Sequence, residues 1–248
     1  MFKSIALCLC TAGLLAAAEL PTPEQVLNRY VEATGGIGAY QELKTQTATG
    51  TIEFKGMGFS AKIQTFAAKP DNSATIMDLG GMGQVRSGVS NGIAWELSPM
   101  QGPRLIEGPE KELSLRSARL DGALRWKELY KDVKVEASEE VAGFTCFRVS
   151  ATPVSGGKPE LSWYDAASGL LVKSSVTLVS PMGEMPLETL MDDYRPVGKL
   201  VLPHKMTQKA GPQEFTTTLE TVELNVDIPA SQFALPPDIE ALIKKAKQ

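Results

Sequence analysis

From Gln46 to Ile228 the chain consists almost throughout of short runs of β-branched, aromatic and small residues cut by glycine and proline, and this pattern breaks only once. Such runs read as strands joined by turns. "QTATGTIEF" and "FSAKIQTFAAKP" flank a Gly-Met-Gly turn as a hairpin, with Phe59, Ala61, Ile63 and Thr65 on one face of the second run. "ATIMDLG", "GQVRSGVS" and "GIAWELSP" are shorter strands, and Ser90-Asn91-Gly92 is a hairpin turn. The break runs from Glu110 to Lys131, where Glu, Leu, Lys and Arg dominate. It reads as two helices parted near Asp121-Gly122, with Leu113, Leu120, Leu124, Trp126 and Leu129 supplying apolar contact. After Val133 longer strands resume as a meander with turns at Asp165–Gly169 and Pro196–Lys199. Many strands in one antiparallel sheet curl toward a barrel, and one face of such a sheet must be covered. The fold class is therefore mainly β: an open antiparallel barrel with the inserted helices on its concave face.

The two ends carry further signals. Thr22, Pro23 and Gln25 form a capping box with proline at the first helical position. Val26, Leu27, Tyr30 and Val31 then fall on one helical face, Gly35-Gly36 stops the helix, and a short second helix covers "AYQEL". A last helix begins at Pro236 or Pro237. Before all of this, Lys3, the apolar "IALCLCTAGLLAAA" and the small residues Ala16–Ala18 read as a secretory signal cleaved after Ala18. The expected organisation is a signal peptide over 1–18 and a single domain over 19–248, in the periplasm. The apolar run is short for a membrane span, and no later stretch is long enough for one. Cys8 and Cys10 leave with the signal, so Cys146 stands alone and the mature chain has no internal disulfide. The net charge of −4 with no basic run argues against nucleic-acid binding.

Catalytic chemistry is thin. The single histidine, His204, excludes sites that need two imidazoles. A Cys146–His204 pair is the remote enzymatic alternative, a cysteine-dependent hydrolase, but Cys146 sits in the alternating strand "FTCFRV" where a core role is the simpler reading. No Gly-x-Ser-x-Gly elbow or phosphate loop occurs, and "LGGMGQVRSG" does not open a helix as a nucleotide fingerprint must. Asp192 and Asp193 point to opposite faces of a strand; Glu184, Glu188 and Asp192 are the nearest approach to a cation site. No catalytic residue, metal or cofactor is expected.

Several segments together resemble the LolA/LolB-like superfamily of outer-membrane lipoprotein-sorting proteins. They are "RYVEATGGIGAYQELKT" ahead of a strand, "AAKP" ending one, "NGIAWELSP", "WYDAASGLLVKSS", "DDYRPVGKLVLPHKM" and the closing "IPASQFALPPD". The resemblance covers most of the chain and is carried by their order and spacing. It implies an unclosed β-barrel with helices in its mouth as a lid, holding acyl chains in a hydrophobic cavity. The implied partners are lipid or lipoprotein acyl chains, with a transient envelope protein as donor or acceptor. The alternative within the same fold is an envelope sensor that binds a partner protein. A strand arginine holds the lid shut in the family; Arg86, the earliest arginine of the strand region, stands in surroundings that do not match.

The cavity is expected between the concave face and the helices of 109–131. Alternation selects Phe54, Phe59, Ile63, Met77, Trp95, Leu161, Trp163 and Leu190 as its walls, with Leu120 and Leu124 from the lid. Met57, Met82, Met100, Met182 and Met185 stand at glycine- and proline-rich turns, where a soft side chain suits a rim that repacks around irregular chains. Charged groups should be scarce inside, and binding should change little with salt.

Overall fold

The computed structural model describes residues 19–180 and 183–246. Residues 1–18, expected to be a signal peptide, and Met182 lie outside these residues. The chain opens with helices α1 (Pro23–Ala33) and α2 (Gly36–Glu42), then strands β1 (Thr45–Phe54), β2 (Phe59–Ala68), β3 (Asn72–Asp78), β4 (Gln84–Ser90), β5 (Ile93–Ser98) and β6 (Gly102–Ile106). Helix α3 (Gly108–Ser117), a 3-10 turn (Gly122–Arg125) and the short α4 (Trp126–Leu129) follow. Strands β7 (Tyr130–Val141), β8 (Phe144–Pro153), β9 (Glu160–Asp165), β10 (Leu171–Ser180), β11 (Gly183–Val197), β12 (Leu200–Ala210) and β13 (Gln213–Leu224) lead to a 3-10 turn at Ala230–Phe233 and helix α5 (Pro237–Ala246).

All thirteen strands belong to one sheet, in the order β6-β5-β4-β3-β2-β1-β13-β12-β11-β10-β9-β8-β7. Every neighbouring pair is antiparallel, and the two meanders join where β1 pairs with β13. The edge strands β6 and β7 do not pair with each other, so the barrel is open. Two local expectations are corrected. The second expected helix shrinks to the 3-10 turn and four residues of α4, because Tyr130 and Lys131 are taken into β7 by pairing with Pro153 and Thr152. Strand β6, whose glycine and proline disguise it, completes the first meander against β5.

Register assigns each side chain a face. Val89, Ala94 and Ile106 pack against Ala118 and Leu115 of the α3 segment. Val149 and Tyr164 pack against Val26, Leu27 and Tyr30 of α1. Leu200, Leu202 and Leu224 pack against Val31, Tyr40 and Leu43, and against Leu120 and Leu124. This is the inner, helix-covered face. Cys146, Trp163 and Val172 cluster with Leu161 and Val141 on the other. At the start of the chain the Thr22 hydroxyl accepts from the Gln25 amide at 3.2 Å while the Gln25 side chain accepts from the Thr22 amide at 2.8 Å. Gly35 then turns the chain between α1 and α2 with φ of +128°, and a Cβ there would lie 2.3 Å from the Lys199 carbonyl oxygen, so only glycine lets α2 dock on β12.

Candidate functional site

A cavity of about 330 Å³ lies between the inner face of β7–β10 and the helical segments above it. Leu27 and Tyr30 of α1 form one side, Leu113 and Arg116 of α3 another, and Trp126 and Leu129 of α4 complete the cover. Val133, Val149, Ala151, Tyr164, Ser174 and Val176 form the sheet wall. These positions follow from period two: Val149 pairs with Ser162, Ser162 with Ser174, and Val176 lies two residues further along β10 on the same face.

The polar groups concentrate at one place. Arg116 of α3 forms an ion pair with Glu160, the first residue of β9, and both side chains are nearly buried, at 13% and 14% exposure. Glu160 also accepts from the Tyr130 hydroxyl at 2.7 Å, and the Arg116 guanidinium lies 5.9 Å from the centre of the Tyr130 ring. Arg116 Nη1 donates to the Ser155 hydroxyl at 3.1 Å, whereas its Nε is buried without a hydrogen-bond partner. A second hollow of about 200 Å³ shares Leu113, Arg116 and Glu160 with the first and continues toward Gly156, Lys158 and Glu184. The pair thus stands at a neck between an apolar inner chamber and an outer one. The expectation that charge is scarce inside is corrected at this neck. Burial raises the Tyr130 phenol above its ordinary range, with the Glu160 carboxylate adding to the effect. It raises that of Tyr30 as well, with neighbouring tyrosines contributing, and pushes Tyr164 up to about 12. These phenols stay neutral donors at physiological pH.

The expected wall residues fall into three groups. Leu161 borders the cavity, although its side chain packs with Cys146 and Trp163 on the outer face. Phe54, Phe59, Ile63 and Met77 lie on the inner face but away from the cavity. Phe54 stacks on Phe59 at 5.6 Å and meets Phe215 at 6.0 Å at the hairpin end, and Ile63 pairs with Gly50 and Met77. Trp95, Trp163 and Leu190 lie on the opposite face of the sheet, where Trp95 is fully buried. Trp95 is the neighbour of inward-facing Ala94 and pairs with Gly88. Trp163 donates to Glu139 and lies under the Lys173 ammonium at 4.9 Å, and Leu190 pairs with Lys173. Leu120 and Leu124 pack with the α1–α2 core rather than on the cavity.

Strand direction explains the methionines. In an alternating sheet of this order, the β1–β2, β3–β4, β5–β6 and β10–β11 turns all fall at one end. Met57, Met82 and Met100 stand there 65%, 57% and 84% exposed, and half-buried Met185 opens β11 opposite Leu178. Glu160, Ala151 and Tyr130, at the cavity neck, belong to the same end.

The other candidates are separated by the fold. Cys146 faces outward on β8 and His204 inward on β12, with three strands between them. Burial and the carboxylates of Asp165, Glu140 and Glu139 push the Cys146 thiol up to about 11, while the His204 ring lies 3.0 Å from its own strand's Leu202 carbonyl. Glu184, Glu188 and Asp192 each have a lysine partner, respectively Lys158, Lys173 and Lys205, and among the described residues no group of potential ligands gathers for a metal. Arg86 lies on the outer face, paired in register with Ile76 and Leu97. The arginine beneath the helices is Arg116, on α3, with its carboxylate partner on β9, 44 residues later, and no local pattern in the sequence joins the two.

Neither known family profiles nor curated proteins match this sequence. Solved structures do resemble it. A DUF1329 family protein from Desulfovibrio piger superposes with a TM-score of 0.59 at 12% identity, over 85% of this chain and 96% of that one. A putative outer membrane lipoprotein-sorting protein domain from Vibrio parahaemolyticus gives 0.58 at 14% identity, over 85% and 97%. A LolA superfamily protein from Nitrosomonas europaea gives 0.58 at 11% identity, over 87% and 99%. At these identities the likeness establishes the fold alone, and the chain has a LolA-like fold: an open antiparallel half-barrel closed over by helices.

Proposed function

We propose that this protein is a non-enzymatic carrier or binding protein of the bacterial envelope, periplasmic after removal of residues 1–18, which holds an acyl chain in the cavity beneath α1, α3 and α4. The observation that carries this reading is the mainly apolar cavity of about 330 Å³ between the helices and the sheet. Pockets of this size, lined by apolar and aromatic side chains with a few convergent polar groups, suit small-molecule ligands. A chain of about ten methylenes gains roughly 0.8 kcal/mol for each one buried, enough to offset a several-kcal/mol association cost. The likeness in fold to a putative lipoprotein-sorting domain points the same way, and among the described residues no helix is long and apolar enough to cross a membrane. The test is mass spectrometry of an organic extract from protein purified out of its own envelope fraction. Stoichiometric acyl chains are expected; an empty cavity in protein that instead copurifies with a stoichiometric protein partner would replace the carrier by a sensor.

A further inference from the structure

We infer that the cavity takes single-chain amphiphiles with an anionic head, the chain in the inner chamber and the head oxygens on Arg116. The inference rests on the acyl-binding reading above and narrows it. Size comes first. A cavity of about 330 Å³ lies at the small end of the roughly 300–1,000 Å³ that ligand sites span. One medium-length chain fills it, and the two or three chains of a phospholipid or lipoprotein anchor do not fit beneath the helices as they stand.

The neck supplies the head specificity. Buried guanidinium N–H groups are ordinarily paired, because an unmet buried donor is costly. Arg116 uses its Nη atoms on Glu160 and Ser155, yet its Nε remains buried and unmet. A carboxylate or phosphate arriving through the outer hollow, which Arg116 borders, gains that donor once the side chain shifts to expose it. It then competes with Glu160 for the planar fork, which suits two-oxygen anions. Glu160 keeps the Tyr130 hydroxyl as partner when Arg116 turns to the ligand. Lys158 and Glu184 also border the outer hollow but pair with each other, so selection rests on the unmet Arg116 donor, which offers a cationic head nothing and a neutral alcohol no charge pairing. The same exchange loosens the tie between α3 and β9, so head recognition and release of the helix act through one side chain.

The test uses the intact chain and displacement of a fluorescent acyl probe at neutral pH. The competitors are decanoate, 1-decanol and decyltrimethylammonium below their micellar concentrations, alongside uptake from dioleoyl phosphatidylglycerol vesicles. Decanoate should displace the probe at least about tenfold better than decanol, with affinity rising about fourfold per methylene up to about ten carbons and then levelling. Glu160→Gln should tighten decanoate severalfold and leave decanol unchanged, and Arg116→Gln should bring decanoate down to the level of decanol. Should Arg116→Gln fail to fold in circular dichroism, the Glu160→Gln arm decides. Uptake of the two-chain lipid, or equal affinity for the three heads with Glu160→Gln inert, overturns this inference and leaves the acyl-binding reading standing. Failure of every acyl probe to bind overturns both.

Discussion

Trp163 and Val176 show how much one step along a strand decides. Both lie on neighbouring strands of the same sheet, but Val176 points into the cavity and Trp163 out of it. The outer position gives Trp163 a hydrogen bond to Glu139 and the Lys173 ammonium over its ring, so its large side chain stabilises the convex surface rather than lining a pocket. Val176→Asp is therefore expected to weaken a fluorescent acyl probe by about tenfold or more, since it sets a charge where the chain would lie in a mainly apolar wall. Trp163→Phe should leave probe affinity within a factor of two and lower stability by about 1–2 kcal/mol through the lost hydrogen bond and a weaker cation–π contact. Probe titration and thermal melts of the two variants separate the faces. Reversed results, with affinity lost in the Trp163 variant alone, would place the binding surface on the convex side.

At the scale of elements, helices decide where the cavity lies, and each is held by a different device. Helix α1 is fixed locally by the reciprocal Thr22–Gln25 hydrogen bonds and by Val26 and Val31 against the sheet. Helix α3 has no side-chain cap, and the Arg116–Glu160 pair ties it to β9 while Leu115 and Ala118 mark its apolar attachment. The short α4 rests on α1 through the Lys127–Glu24 pair at 2.7 Å, an exposed bridge of small energetic weight. Thr22→Ala should cost about 1 kcal/mol by denaturant titration, with the probe affinity kept, because the cap stabilises α1 without touching the cavity. A loss of affinity in this variant, with the fold intact, would mean that the position of α1 and not its stability sets the chamber.

Over the whole molecule, the five tyrosines of the chain gather under the helical cover. The hydroxyls of Tyr40 and Thr34 share a hydrogen bond of 2.7 Å, Tyr30 packs on Tyr164 at 5.4 Å, and the Tyr194 hydroxyl donates to the Leu171 carbonyl at 2.8 Å. Burial is the first cause of the upward shift at all five phenols. The sign follows directly. Below pH 10, both folded and unfolded chains keep these protons. Between 10 and 12, the unfolded chain releases them while Tyr164 in the native state holds its own, so stability falls as pH rises through this window. Tyr164 alone contributes about 2–3 kcal/mol to that loss. Melting temperature should therefore drop steeply above pH 10, and tyrosinate absorbance should appear together with unfolding. Absorbance that grows smoothly from pH 10 in a protein that stays folded would show the phenols to be open to solvent.

Some of this was legible in the sequence because it is local. Turn glycines, period-two runs and the Thr22–Gln25 cap announce hairpins and a helix start within a few residues, and each stands in the structure. The helical break between the two meanders likewise announced what covers the sheet. The cavity walls were not legible, because face depends on register across strands distant in sequence. Alternation alone assigns two sets of side chains and does not say which is inside. Helix packing chose: Leu115 and Ala118 selected the face of Ala94 over that of Trp95, and Leu27 and Tyr30 selected Val149 over Cys146. The neck was equally hidden, since Arg116 and Glu160 stand 44 residues apart and meet only when α3 folds back over β9. Sequence determined an antiparallel sheet and the helices that cover it; only tertiary packing decided which face became a chamber and where its Arg116–Glu160 ion pair would stand, because both depend on contacts that no short stretch of chain contains.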